Sequence, residues 1–452
     1  MIKVGSSSLL AAIAASVSSL AMAQTPPTPV TKPVVVKPVV AKPVVAAPVA
    51  AKPGGSVTPD ALGPLPTAPA PPPPPPPPPA IWTLVDVDAL LASIAAVGSE
   101  GLNPDDYTPA GLSDAVAGGD MIAISAAGSE RFNKLSSDLA LGHVRGDNRI
   151  DWHVIDRDLN AKAQRALLDQ ALATHSIGPA LVGLLPTHPQ YGALRTALAA
   201  TAKTDSAKIN RIRLNMDRWR WLPRDLGQKY IIVNVPSFHA TLVQDGVTRW
   251  KHKAIAGAIK TPTPNLSVMA TGVIINPWWE VPLSISREVA GKNGFVAVKG
   301  KDGKVQRWRQ PPGPANALGE MKFVMQNQYN IYLHDTNARS RFNSEVRALS
   351  HGCVRTENIV ELGTQLLGDD AGTWDSAKVQ ETIDSKKSMM ATFVKPVPVY
   401  IVYFSAAALV DGTITTYPDL YKRDGKVIAA LLNKSGGAPA AAAADKAAKS
   451  KI

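Results

Sequence analysis

Two hydrophobic periods divide the chain. Between residues 81 and 204 the apolar positions recur at helical spacing. Val85, Val87, Leu90, Leu91 and Ile94 mark one amphipathic stretch, Gly101-Leu102-Asn103-Pro104 interrupts it, and Phe132, Leu135, Leu139 and Leu141 begin another helix. A further run from Ala166 to Ala173 precedes Leu184-Leu185-Pro186-Thr187-His188-Pro189. The spacing over 205–221 predicts one helix with Ile209, Ile212, Met216 and Trp219 on a single face and Lys208, Arg211 and Arg218 on others. From Tyr230 the period becomes two. Tyr230–Val235 reads as a strand, and Ala240–Val243 with Val247–Lys251 as a hairpin about Asp245-Gly246. Val273–Ile275 and Lys322–Gln326 follow, the latter turning at Asn327-Gln328 into a strand over Tyr329–His334. The pattern predicts an α+β protein: a mostly helical domain at 81–204, a connecting amphipathic helix at 205–228, and a β-rich domain at 229–433, an antiparallel sandwich or barrel.

The two ends follow other rules. Lys3, an apolar stretch from Leu9 to Leu20, and Ala21-Met22-Ala23 have the three parts of a secretory signal at 1–23, with cleavage after Ala23. So short an apolar stretch does not cross a hydrocarbon core, and the chain is expected to be exported to the periplasm. From Gln24 to Ala80, 21 of 57 residues are proline, ending in nine in a row at 71–79. Proline at this density excludes ladders and helices and predicts a stiff, disordered spacer reaching at most roughly 180 Å at about 3.1 Å per residue. Residues 434–452 read as a disordered basic tail.

The net charge of +12 suggests nucleic acid until it is located. Lys3, Lys32, Lys37, Lys42 and Lys52 against Asp60 at one end, and Lys434, Lys446, Lys449 and Lys451 against Asp445 at the other, leave residues 81–433 at +5. The basicity is mostly in the tails, which attract any polyanion, so no nucleic-acid partner is expected. Arginine beside tryptophan at 218–221 can stack on bases, but Trp219 reads as a contact with the following domain.

Chemistry concentrates at one place. The chain has a single cysteine, Cys353, which excludes an internal disulfide in an exported protein and leaves a thiol that is buried, shared with another chain, or reactive. It lies in Ser350-His351-Gly352-Cys353-Val354-Arg355, downstream of Tyr332-Leu333-His334-Asp335. Ile359, Leu362 and Leu366 recur at helical spacing behind Thr356, a suitable N-cap, so Cys353 is expected just before a helix N-terminus, which favours the nucleophilic thiolate. His334 could take the thiol proton, and so could His351; the residues alone do not separate the two. Alternation along a strand puts Tyr332 and His334 on one face and turns Asp335 away, leaving the group that orients His334 unnamed. Gly352 lets the backbone turn so that amides near Cys353 converge on an oxyanion. A zinc site from Cys353, His334 and His351 lacks a further cysteine and any HExxH spacing, so no metal and no cofactor is expected.

His334, fifteen residues, and then Ser350-His351-Gly352-Cys353-Val354-Arg355 resemble the signature of the L,D-transpeptidases, which cross-link peptidoglycan. RLNMDRWRWLPRDLG at 213–227, YIIVNVPSF at 230–238, NPWWEVPLSI at 276–285, QPPGPANALGEMKF at 310–323 and DGTITTYPDLYKRD at 411–424 resemble the large periplasmic branch, and GLNPDDY at 101–107 its helical scaffold domain. The resemblance covers about residues 81–425. It implies Cys353 as nucleophile, His334 as general base, Tyr332 with Ser350 and the amides of His351, Gly352 and Cys353 as oxyanion support, and Arg355 as a residue that shapes the site. The stretch 284–316 would be a mobile lid, as its glycine, lysine and proline content suits. One feature departs from the branch: only Ala199–Ile209 stand where a small peptidoglycan-binding domain usually sits, so the basic, proline-rich N-terminus would have to serve for wall docking.

The implied reaction is acyl transfer. Cys353 attacks the carbonyl of the third stem residue, normally meso-diaminopimelate, D-alanine leaves, and an amine resolves the thioester. Another stem's amine gives a third-to-third cross-link. A lysine of an outer-membrane lipoprotein, a free D-amino acid or water gives anchoring, exchange or trimming. Stem peptides are the expected partners, with an outer-membrane lipoprotein or cell-wall synthases beside them, and carbapenems are expected to acylate Cys353. The rival readings are a carboxypeptidase of the same fold and an inactive wall-binding scaffold.

Overall fold

A computed structural model describes residues 78–155, 158–369, 373–409 and 413–433, all within one compact unit, Pro75–Ile452. The expected leader, all but the last residues of the spacer, and the basic tail lie outside the described residues. No helix among the described residues is long and apolar enough to cross a membrane.

Among the described residues seven α-helices come first: α1 (Leu84–Ala96), α2 (Pro109–Gly118), α3 (Met121–Leu141), α4 (Ala161–Ala173), α5 (Ile177–Val182), α6 (Pro189–Ala200) and α7 (Ser206–Trp219). Helix α1 starts where Thr83 and Asp86 cap each other's backbone N–H groups, a capping box. Phe132, Leu135, Leu139 and Leu141 do not begin a helix; they occupy the second half of α3, which Asp120 caps eleven residues before Arg131. Where Trp82 packs across the first half, at Ser125, Gly128 and Ser129, the side chains are small. A Cβ at Gly128 would lie 2.9 Å from the indole, which donates its Nε1–H to Ser129. Trp82, Leu90, Ile94, Tyr107, Phe132 and Leu135 are fully buried here and form the helical core.

The second half carries strands β1 (Lys229–Asn234), β2 (His239–Gln244), β3 (Val247–Gly257), β4 (Leu266–Ile275), β5 (Trp279–Glu280), β6 (Val296–Lys299), β7 (Val305–Gln310), β8 (Met321–Met325), β9 (Leu333–His334), β10 (Ala348–Ser350), β11 (Val354–Thr356), β12 (Met389–Val402), β13 (Ala406–Ala408) and β14 (Ile414–Thr416). Three further helices follow in this half, α8 (Ser286–Val289), α9 (Ile359–Gly368) and α10 (Ser376–Asp384), and α11 (Asp424–Leu432) ends it. The hairpin at Asp245-Gly246 forms as expected, both residues having positive φ (53° and 73°), the conformation of a type I′ turn.

Strands β3, β11, β9, β8, β4, β12, β1 and β2 pair in that order, and β2 returns to β3, so the sheet closes into a barrel with β10 added beside β3. The barrel is mixed. β1–β12 and β9–β11 are parallel, and the remaining ring pairings are antiparallel. Parallel pairing needs a crossover: residues 335–353, with β10, supply it between β9 and β11, and the chain from β2 through α10 supplies it between β1 and β12. The expected strand over Tyr329–His334 shrinks to Leu333–His334, because the Asn327 side chain accepts from the Tyr329 and Ile331 N–H groups and holds the preceding residues in a turn.

The two halves share a core through α7. Trp219 stacks on Phe404 (4.6 Å) and on His188 (4.2 Å), so it is the interdomain contact the sequence suggested. Asp217, fully buried, accepts from the His143 and Val144 N–H groups (2.7 and 3.1 Å) and from Trp221 Nε1 (3.0 Å) beside Arg220. A buried carboxylate is tolerated only when so paired. The segment after α3 then reaches the barrel: Asn265 donates its N–H to Asp151 O and accepts from His153 N–H (3.0 and 2.8 Å), which fastens residues 151–153 to the start of β4.

Candidate active site

Strands β8, β9 and β11 lay out the site as a grid. Leu333 pairs with Val354, and both enter the barrel core. Alternation therefore turns their neighbours His334 and Arg355, also register partners, to the opposite face, and Lys322 pairs with His334 from β8. Arg355, His334 and Lys322 thus form one cross-strand row. Cys353 and Tyr332, each two residues earlier and just ahead of its strand, form the next row, tied by Val354 N–H donating to Tyr332 O at 3.1 Å.

Cys353 is half-buried. Its Sγ lies 3.4 Å from Asn330 O, to which the thiol donates, and it also contacts Tyr332. No hydrogen bond among the described residues joins it to His334, which faces the Tyr332 ring edge-on at 5.6 Å. Burial pushes the thiol above its ordinary value, while hydrogen bonds from Tyr332 and the charges of Lys322 and Arg355 oppose it. His334 is pulled down to about 3 by burial, then by Arg355, with Lys322 adding and the Asp335 main-chain carbonyl opposing. Its Nδ1 is buried without a hydrogen-bond partner. At neutral pH the pair is therefore a neutral thiol and a neutral imidazole.

This corrects the expected helix start. Cys353 precedes strand β11, Thr356 ends that strand without capping anything, and α9 begins at Ile359 after Asn358, which is left-handed (φ 52°) and makes no side-chain cap. What acts on the thiol is burial, opposed by Tyr332 and then by the row of basic side chains. Lys322 was missed: its ammonium sits 3.8 Å from the centre of the Tyr332 ring, and burial lowers its pKa. The available signal was a lysine between Met321 and Phe323, which alternation assigns to the face opposite the core.

The two histidines separate in space. His334 is buried in the row, whereas His351 is half exposed with Nε2 3.6 Å from Glu288 of α8. Asp335 turns away, as alternation requires, and holds Arg339 (2.6 Å) and the Glu320 N–H (3.0 Å). Ser350 is a staple of the loop: its Oγ accepts from Gly352 N–H (3.1 Å) and donates to Cys353 O (2.5 Å). The Gly352 amide is thereby engaged and is not among those left to meet an oxyanion. Gly352 has φ +119°, a conformation that favours glycine, so its presence before the cysteine is a backbone requirement.

The stretch 284–316, expected as a lid, carries α8, β6 and β7, and β7 pairs with β5 just before it. β5, β7 and β6 form a small sheet, and with α8 they enclose a cluster of Val281, Ile285 and Val289 against Trp279, Phe295 and Trp308. Trp279 of this sheet hydrogen-bonds the Tyr332 hydroxyl. Two cavities lie at the site, one against the loop and one against Lys322 and Tyr332. One of about 530 Å³ is lined by Thr261, Tyr329, Ile331, His351, Gly352 and Tyr421 among others, and one of about 290 Å³ by Lys322, Asn330 and Tyr332 among others.

Residues 228–390 match the family described as the L,D-transpeptidase catalytic domain, and residues 80–198 match the family described as the scaffold domain. A Haemophilus influenzae protein assigned to the L,D-transpeptidases is 30% identical over 255 residues, 51% of this chain and 51% of its own, so the chain spans about half the length of that relative. Among solved structures, an Enterococcus faecium L,D-transpeptidase is 14% identical with a TM-score of 0.23, over 40% of this chain and 52% of its own. L,D-transpeptidase 1 of Mycobacterium tuberculosis is 13% identical with a TM-score of 0.19, over 39% and 61%. The family matches, the barrel and the Cys353 loop together identify residues 228–390 as a member of the L,D-transpeptidase catalytic-domain family, preceded in the same chain by a scaffold domain at residues 80–198.

Proposed function

We propose that this protein is a peptidoglycan L,D-transpeptidase acting outside the inner membrane, with Cys353 as nucleophile and His334 as general base. The observation that carries the reading is the grid: a half-buried thiol beside Tyr332, one row from a buried neutral imidazole flanked by two cations. Cys353 Sγ attacks the carbonyl carbon of the third stem residue while its proton passes to His334. The new C–S bond forms, the amide C–N bond to D-alanine breaks, and the proton leaves on the D-alanine amine. The side-chain amine of a second stem's third residue then attacks the thioester, its proton goes to the imidazole, and the thiolate is released to be reprotonated. A neutral base suits this order, since an imidazole already protonated could not accept. Hydrogen bonds of this kind tighten when substrate closes the site. The cations that flank His334 also stabilise the thiolate as it forms.

Mass spectrometry of the products formed from a disaccharide-tetrapeptide tests the reading. Dimers linked through their third residues, absent with Cys353→Ala, are expected; tripeptide and free D-alanine alone would mean that water resolves the thioester and would overturn the transpeptidase. His334→Ala should slow acylation by roughly 10²- to 10⁴-fold, and a larger loss in His351→Ala would reassign the base.

A further inference from the structure

Thr263 stands at the start of β4's approach, far in sequence from the nucleophile loop, and is fully buried. Its Oγ1 donates to Gly352 O (2.7 Å) and accepts from Gly257 N–H (2.8 Å). Gly352 C=O and Cys353 N–H belong to one peptide unit, which is planar and trans, so the two bonds point in opposite directions. Whatever fixes the carbonyl fixes the amide. With φ at +119°, Gly352 has no Cβ to hinder rotation of that unit, and an external anchor is needed to choose its orientation. We propose that Thr263 is a positioning residue for acyl transfer: by holding the Gly352 carbonyl it aims the Cys353 N–H at the oxygen that becomes negative when the thiol attacks.

The same loop repeats the device two residues earlier. Ser350 O accepts from Ala258 N–H (2.8 Å) and Thr261 Oγ1 (3.0 Å), which sets the direction of the His351 N–H. Thr263 is itself held from behind. Tyr421 accepts from Thr263 N–H (3.2 Å) and donates to Gly257 O (2.7 Å). Arg423, also buried, donates to Thr263 O (3.4 Å) and to Asp151 of the scaffold segment, with its guanidinium over the rings of Tyr403 and Tyr421. This gives a role to the Tyr417–Asp424 stretch that Cys353, His334 and the lid do not use. It also makes the scaffold a support of the nucleophile loop.

The inference rests on the acyl-transfer reading, and the test keeps the two apart. Acylation of Cys353 by a carbapenem passes through an oxyanion, whereas alkylation by iodoacetamide displaces iodide and does not. Both rates are measured on the full chain by intact-protein mass spectrometry, for wild type, Thr263→Val, Thr263→Ser and Tyr421→Phe, with melting curves alongside. Removal of an oxyanion donor costs about 10²- to 10³-fold, and misaiming one should cost less. Thr263→Val is expected to slow acylation roughly 10- to 100-fold while alkylation stays within about twofold, and Thr263→Ser to restore acylation to within about threefold of wild type. Tyr421→Phe should move the acylation-to-alkylation ratio the same way by a smaller factor, and it decides the matter if Thr263→Val does not fold. Equal losses in both rates, failure of serine to rescue, or an unchanged ratio in the folded variants would overturn the role of Thr263. A wild type that alkylates but never acylates would instead overturn the acyl-transfer reading.

Discussion

Burial holds the His334 ring neutral, and the cost of that in acid can be worked out. In the unfolded chain the imidazole takes its proton near 6.5, and in the folded protein only at about 3. Between those values the unfolded state binds more protons, so stability falls as the pH falls through that window and is untouched by this ring above it. At about 1.36 kcal/mol per unit, moving from about pH 7.5 to about pH 5 removes ~2 kcal/mol on account of His334 alone. The ring is 5% exposed, so solvent screening does not reduce the figure appreciably. His188, lowered by burial to about 4, acts in the same direction, but equally in both proteins compared. Unfolding free energies from urea titrations of wild type and His334→Gln at a series of pH values isolate the ring. The variant should gain ~2 kcal/mol on the wild type over that interval. Curves that stay parallel within about 0.5 kcal/mol would refute the account of a neutral, desolvated imidazole.

Two further changes test the supports of the site. Asp217→Asn keeps the shape but removes the charge facing Arg220 and two of the acceptor positions used by His143, Val144 and Trp221. Breaking a buried pair costs about 3–5 kcal/mol, and with part of the network retained the expected loss is ~2–4 kcal/mol by urea unfolding. Lys322→Met removes a cation that lowers the Cys353 pKa, so the pH midpoint of thiol alkylation should rise while the melting temperature holds; an unchanged midpoint would show that Lys322 does not act on the thiol.

Much of the candidate site could be read from the chain because its members are close in sequence. Ser350 to Arg355 is one loop and strand start, and Tyr332 with His334 is one strand edge, so alternation alone assigns their faces and turns Asp335 away. The type I′ hairpin at Asp245-Gly246 and the span of α7 are equally local. The errors came where a local signal met a tertiary alternative. Thr356 has the composition of a helix cap, yet pairing with Ala254 makes it the end of β11. Tyr329 and Ile331 have strand character, yet the Asn327 side chain takes their N–H groups.

By itself, then, the sequence determined which residues could do chemistry, and the switch from helical to strand period that separates scaffold from barrel. Barrel closure, the pairing of Lys322 with His334, the separation of His334 from His351 and the anchoring of Gly352 by Thr263 were decided only by tertiary structure. Each joins segments that the chain brings together by strand register and burial, and none is written in the spacing of any one segment. The thiol makes the point most clearly. The expected helix start favoured a thiolate, but the balance of desolvation against Tyr332, Lys322 and Arg355 keeps the proton on, and that balance exists only once the barrel has closed around it.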